Sequence, residues 1–450
     1  MKKMNMTATA VMALIATGAV ADGHLIVTPG DGAFNWQSFN DFAANNDFTG
    51  QNLTIASPWL GPDAVAAEAV LAYFAAATGA NVSQNGSDSF EQQIVIDTEA
   101  GSPPNLAVFP QPGLACDLAS RGFLAPLGDD TANWMAENYA AGPSWVALGS
   151  CDGLDGFYSF SYNVNVKSLV WYVPETFEDA GYAIPETMED LKALSDQIVA
   201  DGGTPWCIGL GSGGATGWPA TDWVEDMMLR TQSPDVYDQW VKNEIPFDDP
   251  RVVAAIEEFG AFARNDAYVA GGADAVASID FRDSPKGLFD SPPQCYMHRQ
   301  ASFIPAFFPE DTVVGEDADF FYFPAYAAKD LGSPVLGAGT LISILDDSDV
   351  ARGFIEFLKT PIAHEIWMSI ETQGFLTPHL GVNPEVYHSD TLRNQGEILR
   401  NATTFRFDGS DLMPGAIGAG AFWTGMVDFA GGKSASEVAS QIQDSWTAIK

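Results

Sequence analysis

The side chains best placed to do chemistry in this sequence are aromatic rings set beside turns. Trp59 follows Pro58, Trp218 precedes Pro219, Phe307 and Phe308 precede Pro309, and Phe422 and Trp423 follow a glycine-rich run. A flat ring at a loop edge can offer its face to the apolar face of a sugar ring, while neighbouring Asp and Asn side chains accept from or donate to hydroxyls. Each ring taken alone is better explained by core packing, but their recurrence beside turns points to a site.

Covalent and metal chemistry find less support. His24, His298, His364, His379 and His388 show no H-E-x-x-H or other ligand spacing, and His364-Glu365 reads as a surface pair on a helix. With 59 acidic residues, some pair will sit near any cleft, and spacing singles out no acid/base pair. Gly209, Gly211 and Gly214 match G-x-G-x-x-G after a strand, but an exported chain meets little dinucleotide. Gly432-Lys433-Ser434 resembles the end of a phosphate loop, yet Val427 stands where its first glycine belongs. No cofactor and no metal are expected.

Export is read from the start of the chain. Lys2 and Lys3, the apolar run Ala8 to Val20, and Ala19-Val20-Ala21 ahead of Asp22 form a secretory leader over residues 1–21. No later run approaches the roughly 18 apolar residues of a membrane span. The first cysteine is Cys116, so no lipid-acceptor thiol follows the cleavage site and a free periplasmic protein is expected. A 450-residue chain exceeds what one core of about 250–300 residues serves, so two lobes are expected. The formal charge of −39 excludes nucleic acid and anionic membrane as partners. The acids are scattered rather than blocked, as on a solvated surface. Cys116, Cys151, Cys207 and Cys295 lack a C-x-x-C spacing, which favours disulfides in an exported chain and leaves three pairings open.

The elements that would position the rings follow an α/β pattern. Leu53 to Ala56 reads as a strand, a helix runs from near Asp63 to Ala77, Phe90 to Glu99 is a second helix, and Leu106 to Phe109 a buried strand. Ligands bind beyond the carboxyl ends of such strands, here Ser57 to Trp59 and Phe109 to Gln111. From Phe157 to Tyr172 the chain alternates strictly: Tyr158, Phe160, Tyr162, Val164 and Val166 share one parity, and Ser159, Ser161, Asn163 and Asn165 the other. At about 3.3 Å per residue this run is longer than a usual strand, so it is either one long edge strand or a segment that leaves one sheet and enters another, turning Asn163 and Asn165 towards the space between. Further on, Trp206 to Leu210, Gln294 to Ile304 and Val335 to Leu345 read as strands, and Gly211 to Pro219 as a loop before a helix around Trp223 to Arg230. Pro250 to Arg264 reads as a helix burying Val253, Ile256, Gly260 and Ala263, and Gly415 to Gly420 as unpacked backbone. The last helix, from Ser436, carries Val438, Ile442 and Trp446 on one face.

Three stretches carry a family likeness: Gly420-Ala421-Phe422-Trp423 ahead of Gly431-Gly432-Lys433, the run Tyr162 to Tyr172, and Phe90-Glu91-Gln92-Gln93-Ile94. With them the chain resembles the periplasmic sugar-binding proteins of bacterial ABC importers, in the maltose-binding-like group. The loop Gly217 to Trp223 resembles the α-glucoside-binding branch. The resemblance implies a two-lobed, type II-like periplasmic binding fold with the ligand cleft between α/β lobes, residues 22–162 and 299–353 in the first and 163–298 and 354–450 in the second. It implies a stacking ring at Phe422 or Trp423, an opposite wall from Trp218, Asp222 and Trp223, and further contacts from Trp59, Asp63, Gln111 and Asn165. Phe307 joins this set as a ring beside a turn. With the lobes so divided, Cys116–Cys151 and Cys207–Cys295 is the pairing that keeps each bridge within one lobe. The implied partners are a small sugar and the membrane permease of an ABC transporter, with the protein a monomer and not an enzyme. Thr424 stands where the maltose-binding pattern has tyrosine, which leaves sugar length and linkage open. The alternatives are a glycoside hydrolase, or a binder of a polyamine or phosphorylated solute on the same fold. Few Lys and Arg near the cleft argue against phosphate.

Overall fold

A computed structural model of the protein describes residues 25–139, 142–370, 376–401 and 403–450. The leader peptide and its cleavage before Asp22 lie outside the described residues. The strands, in chain order, are β1 (Asn52–Ser57), β2 (Asn81–Gly86), β3 (Leu106–Phe109), β4 (Ser159–Val166), β5 (Leu169–Tyr172), β6 (His298–Arg299), β7 (Asp319–Tyr322), β8 (Pro334–Ile344) and β9 (Thr404–Phe407). They form a six-stranded sheet ordered β2-β1-β3-β8-β4, with β9 also on β8, and a three-stranded sheet ordered β6-β5-β7. β1 runs parallel to β2 and β3, and β8 antiparallel to β3 and β4. β3 and β8 are buried along their whole length, which is why they read as unbroken apolar runs rather than alternating ones.

The run Phe157 to Tyr172 divides between two sheets and is not one long edge strand. β4 belongs to the larger sheet and β5 to the smaller, with Lys167 and Ser168 between them. β8 crosses too: Val335 and Leu336 pack with the second body, while Ala338, Leu341 and Ile342 pack with the first. The points where the chain changes body differ from the expected ones. Ile304, Phe307 and Phe308 pack around Trp171, and Phe321 and Phe323 join the second core, because β7 pairs with β5 in the smaller sheet. The helices Asp349–Leu358 and Pro361–Met368 instead bury Phe354, Phe357, Ile362 and Ile366 in the first core. Packing therefore places 304–336 with the second body and 338–367 with the first.

Some local expectations shift as well. The helix Pro250–Ala263 buries Val252, Ala255, Ile256, Phe259, Phe262 and Ala263. The two phenylalanines rotate the apolar stripe away from Val253 and Gly260, since burying a ring removes far more apolar area than burying a glycine. Trp206 makes isolated bridges to Val269 and Met297, and the strand expected across Gln294 to Ile304 shortens to β6. The helix Ala435–Ile449 does bury Val438, Ile442 and Trp446, and Ser434 and Glu437 form a capping box at its start. The cysteines pair as Cys116–Cys151 and Cys207–Cys295, with Cα atoms 5.4 and 5.5 Å apart.

His364 and Glu365 are buried, not a surface pair. Glu365 accepts the backbone N–H groups of Asn35 and Asn383 at 2.6 and 2.9 Å, tying the helix to the chain's early turns. His364 and His379 pack with ring centroids 5.1 Å apart. The His364 Nε2 faces Leu358 O at 2.9 Å, its Nδ1 faces the Thr377 hydroxyl at 2.9 Å, and His379 Nε2 faces Lys359 O at 3.0 Å. Burial holds both imidazoles below their ordinary pKa, with His379 adding to the effect on His364. A base whose folded pKa is depressed stabilises the fold above its unfolded value of about 6.5, and that contribution is lost as pH falls below it. Over pH 7.5 to 5 this contribution is lost while the raised carboxyls of Asp63 and Asp222 act in the opposite sense, so His364→Asn, which cannot titrate, is expected to shift the slope of melting temperature against pH towards greater stability at low pH. An unchanged slope in that variant would remove the histidine pair as a contributor.

Candidate functional site

Between the two bodies lies a cleft with a cavity volume of about 150 Å³. Trp59 and Asp63 reach it from the carboxyl end of β1 and the helix Pro62–Thr78, and Gln111 from just beyond β3. Asn165 and Lys167 come from the crossing segment, Trp218 from the first position of the helix Trp218–Thr231, and Trp423 from the first position of the helix Trp423–Ala430. Gly217 joins these last two. Its φ of +116° and the Trp423 carbonyl oxygen 2.3 Å from where a Cβ would stand leave room for glycine alone.

The cleft's polar edge is unfinished. Asp63 Oδ1, Gln111 Oε1, Asn165 Oδ1 and Trp423 Nε1 are buried, and no protein group pairs with them. Buried polar atoms are rarely left so, because each forgoes its hydrogen bond to water. Burial pushes the Asp63 carboxyl up to about 7, against the pull of Arg282. Gln111 is oriented by donating Nε2 to Glu91 Oε1 at 3.1 Å, and burial raises Glu91 as well.

The floor is charged, and most of its charges are paired within it. Lys167 Nζ donates to Asp222 Oδ1 at 2.7 Å and to Asp408 Oδ2. Burial alone would strip its proton, but these carboxylates hold its pKa above the ordinary value. Glu225 accepts the Gly409 and Ser410 N–H groups at 2.9 Å each, and Asp408 accepts the Ser410 hydroxyl and the Asp411 N–H at 2.8 and 2.9 Å. The richer donor set keeps Asp408 ionised: burial opposes the charge, but Lys167 and these donors hold its pKa down to about 2. Burial pushes Asp222 up to about 8, although Lys167 opposes it, and its Oδ2 lacks a hydrogen-bond donor.

Of the residues singled out in the sequence, the structure brings Trp59, Asp63, Gln111, Asn165, Trp218 and Trp423 together on the cleft. Asp222 lies one layer behind, against Lys167. Trp223, Phe307 and Phe422 are not on it. Five residues on from Trp218 at the start of their helix, Trp223 turns into the core against Trp206 and Phe259, with centroids at 5.5 and 5.7 Å. Phe422 packs edge-on to Phe247 at 4.9 Å, and Phe307 to Phe281 at 5.5 Å. The run thought too poor in side chains to pack forms a π-helical turn, Ile417–Phe422, with Ile417 buried. Sequence reasoning missed Lys167, Arg282, Glu91, Asp408 and Asp411. A lysine inside an otherwise apolar run and the pattern Asp408-Gly409-Ser410-Asp411 were the available signals.

Comparison with known proteins agrees with this geometry. The profile described as bacterial extracellular solute-binding protein matches residues 58–364. The chain is 64% identical over 424 residues to the alpha-glucosides-binding periplasmic protein AglE of Rhizobium meliloti (strain 1021), covering 93% of this chain and 92% of that one. It is 42% identical to the osmoprotective compounds-binding protein GgtB of Synechocystis sp., covering 89% and 94%. Among solved structures, the bacterial solute receptor AcbH superposes with a TM-score of 0.75 at 20% identity, over 89% of this chain and 99% of that one. The GacH receptor of Streptomyces glaucescens gives 0.67 at 15% identity, over 89% and 98%. At such identities these two show a shared fold.

Proposed function

Because the chain belongs to the bacterial extracellular solute-binding proteins, we propose that it captures an α-glucoside or other small oligosaccharide in the periplasm and presents it to the permease of an ABC importer. The observation that carries this reading is the unfinished polar edge of the cleft: acceptors on Asp63, Gln111 and Asn165 and a donor on Trp423, beside the indoles of Trp59, Trp218 and Trp423. A ligand that supplies several O–H donors, at least one acceptor and flat apolar faces satisfies all of them, and that description is a sugar. The relative from Rhizobium meliloti, named for binding alpha-glucosides, supports the linkage class.

The same cleft argues against charged solutes. Lys167 and Arg282 line it, but Asp222 and Asp408 hold the first, and Asp88 and Asp280 the second, so neither is free to hold a phosphate. Burial favours the protonated form of Asp63, Glu91 and Asp411, which weakens the attraction for a polyamine. Titration calorimetry with maltose, trehalose and sucrose, followed by chromatography of the mixtures, should show binding and intact sugar. Release of glucose that depends on Asp63 would instead make the protein a hydrolase.

A further inference from the structure

The loop that carries Gly209, Gly211 and Gly214 sits where the two bodies meet beside the cleft, which Ser212 and Ala215 help to line. Gly211 is bonded to the neighbouring loop in both directions, its N–H donating to Ile279 O at 2.8 Å and its carbonyl accepting from Phe281 N at 2.9 Å. The two loops of the second body are thus tied to each other through the backbone. On the first body they meet the start of the helix Phe90–Glu99, which is anchored by Phe90 and Ile94 in the core around Phe109. A Cβ on Gly213 would stand 2.7 Å from Asp88 Cβ, and one on Gly214 would stand 2.9 Å from both Ser89 Oγ and Gln92 Oε1. Only a loop without side chains lets the bodies come this close. Beside it, Arg282 Nη2 donates to Asp88 Oδ1 at 2.8 Å across the gap. Its guanidinium is pre-set over the Phe281 ring, 4.4 Å from the centroid, and by Asp280 on its own loop.

We infer that the Gly213-Gly214 loop and the Arg282–Asp88 pair form a latch that positions the two walls of the cleft and sets how long a captured ligand is held. The inference rests on the capture reading above. Contacts that form only after the walls meet act on dissociation more than on encounter, as most affinity tuning does. Side chains at the pair are 23% and 42% exposed, so the ion pair is a modest part of the latch and the glycine seam the larger.

The test measures dissociation of trehalose, maltose and sucrose by stopped-flow tryptophan fluorescence. Gly214→Leu, outside the cleft lining, should wedge the seam and speed release by about tenfold or more, with association within about threefold. Asp88→Asn and Arg282→Gln should each speed release about two- to fivefold, and the double variant no more than either single one, as expected for a coupled pair. Unchanged release in Gly214→Leu, or additive effects in the double variant, would overturn the latch. A second arm needs no sugar. Ser89→Cys with Gly214→Cys places two thiols within reach across the seam, and they should oxidise to a disulfide more slowly when Arg282→Gln is added. Equal oxidation rates would also overturn the latch. If none of the three sugars binds the unaltered protein, that result counts against the sugar reading, and the oxidation arm still decides the latch.

Discussion

Replacing Lys167 with alanine should lower the unfolding free energy in urea by about 3–5 kcal/mol, the range for stripping one partner from a buried ionic group. The residue stands at the chain's first passage from one body to the other, with its side chain and those of Asp222 and Asp408 almost wholly shielded from solvent. Its ammonium is the charge on which Asp222 and Asp408 converge, and it also lies 5.3 Å from the Trp218 ring centroid. Without it, carboxylates within 4.8 Å of one another, those of Asp222, Glu225 and Asp408, would face each other with only backbone and hydroxyl donors and the Arg299 guanidinium, 3.9 Å from Asp222, to offset them. A double variant, Lys167→Met with Asp408→Asn, should recover part of the loss, because both partners then leave together. A loss below about 1 kcal/mol in the single variant, typical of exposed pairs, would mean the cluster is solvated rather than buried. The cluster beneath the cleft is thus held by its own paired charges, in contrast to the polar atoms of Asp63, Gln111, Asn165 and Trp423 at the cleft edge, which have no hydrogen-bond partner among the described residues.

Particular residues show how far the sequence carries the fold and where it stops. Strict alternation from Tyr158 to Asn165 marked a strand, because period and rise are properties of backbone geometry alone, but the excess length of that run left a long edge strand and a crossing between sheets both open, and the pairing of its two halves with different sheets decides for the crossing. The strand ends at Ser57 and Phe109 located one wall of the cleft for the same reason. Which of two adjacent aromatics faces the cleft was not legible. Trp218 and Trp223 share one helix, and Phe422 adjoins Trp423, so a rotation of about 100° per residue decides between ligand and core. That rotation is fixed by partners remote in sequence, such as Phe247 for Phe422 and Phe259 for Trp223. The charged floor was hidden for a related reason. Lys167 and Asp408 are 241 positions apart, and nothing in the spacing of 59 acids tells which of them the fold will bring to one lysine. The return of the chain to the first body near Ala338, later than Arg299, likewise depends on β7 pairing with β5, a long-range choice that local patterning does not record.

Substituting Trp423 with alanine should weaken sugar binding by about 2–4 kcal/mol, the scale of an aromatic hot spot, while the unliganded protein keeps most of its stability. The neighbouring substitution, Phe422→Ala, should do the reverse, costing about 3–5 kcal/mol of stability through a cavity and leaving the affinity of the folded protein near its original value. The contrast follows from where each ring goes. Phe422 is fully buried in the core with Trp240, Phe247 and Met426, and its edge-on contacts are all internal. Trp423 begins the next helix, lines the cleft, and belongs to none of the hydrophobic clusters among the described residues. Only 3% of its surface meets water, because the walls already stand close, yet its Nε1 finds no acceptor in the protein. An indole screened from solvent with its one polar atom unspent is arranged for a guest: the ring face for a sugar's apolar face, the N–H for a hydroxyl or ring oxygen. Calorimetry and urea unfolding on the two variants separate these roles. Collapse of the unliganded Trp423→Ala protein, or sugar affinity unchanged in it, would move the stacking platform to Trp218, which the structure places on the same wall rather than the opposite one, its ring meeting Phe281 edge-on at 4.9 Å.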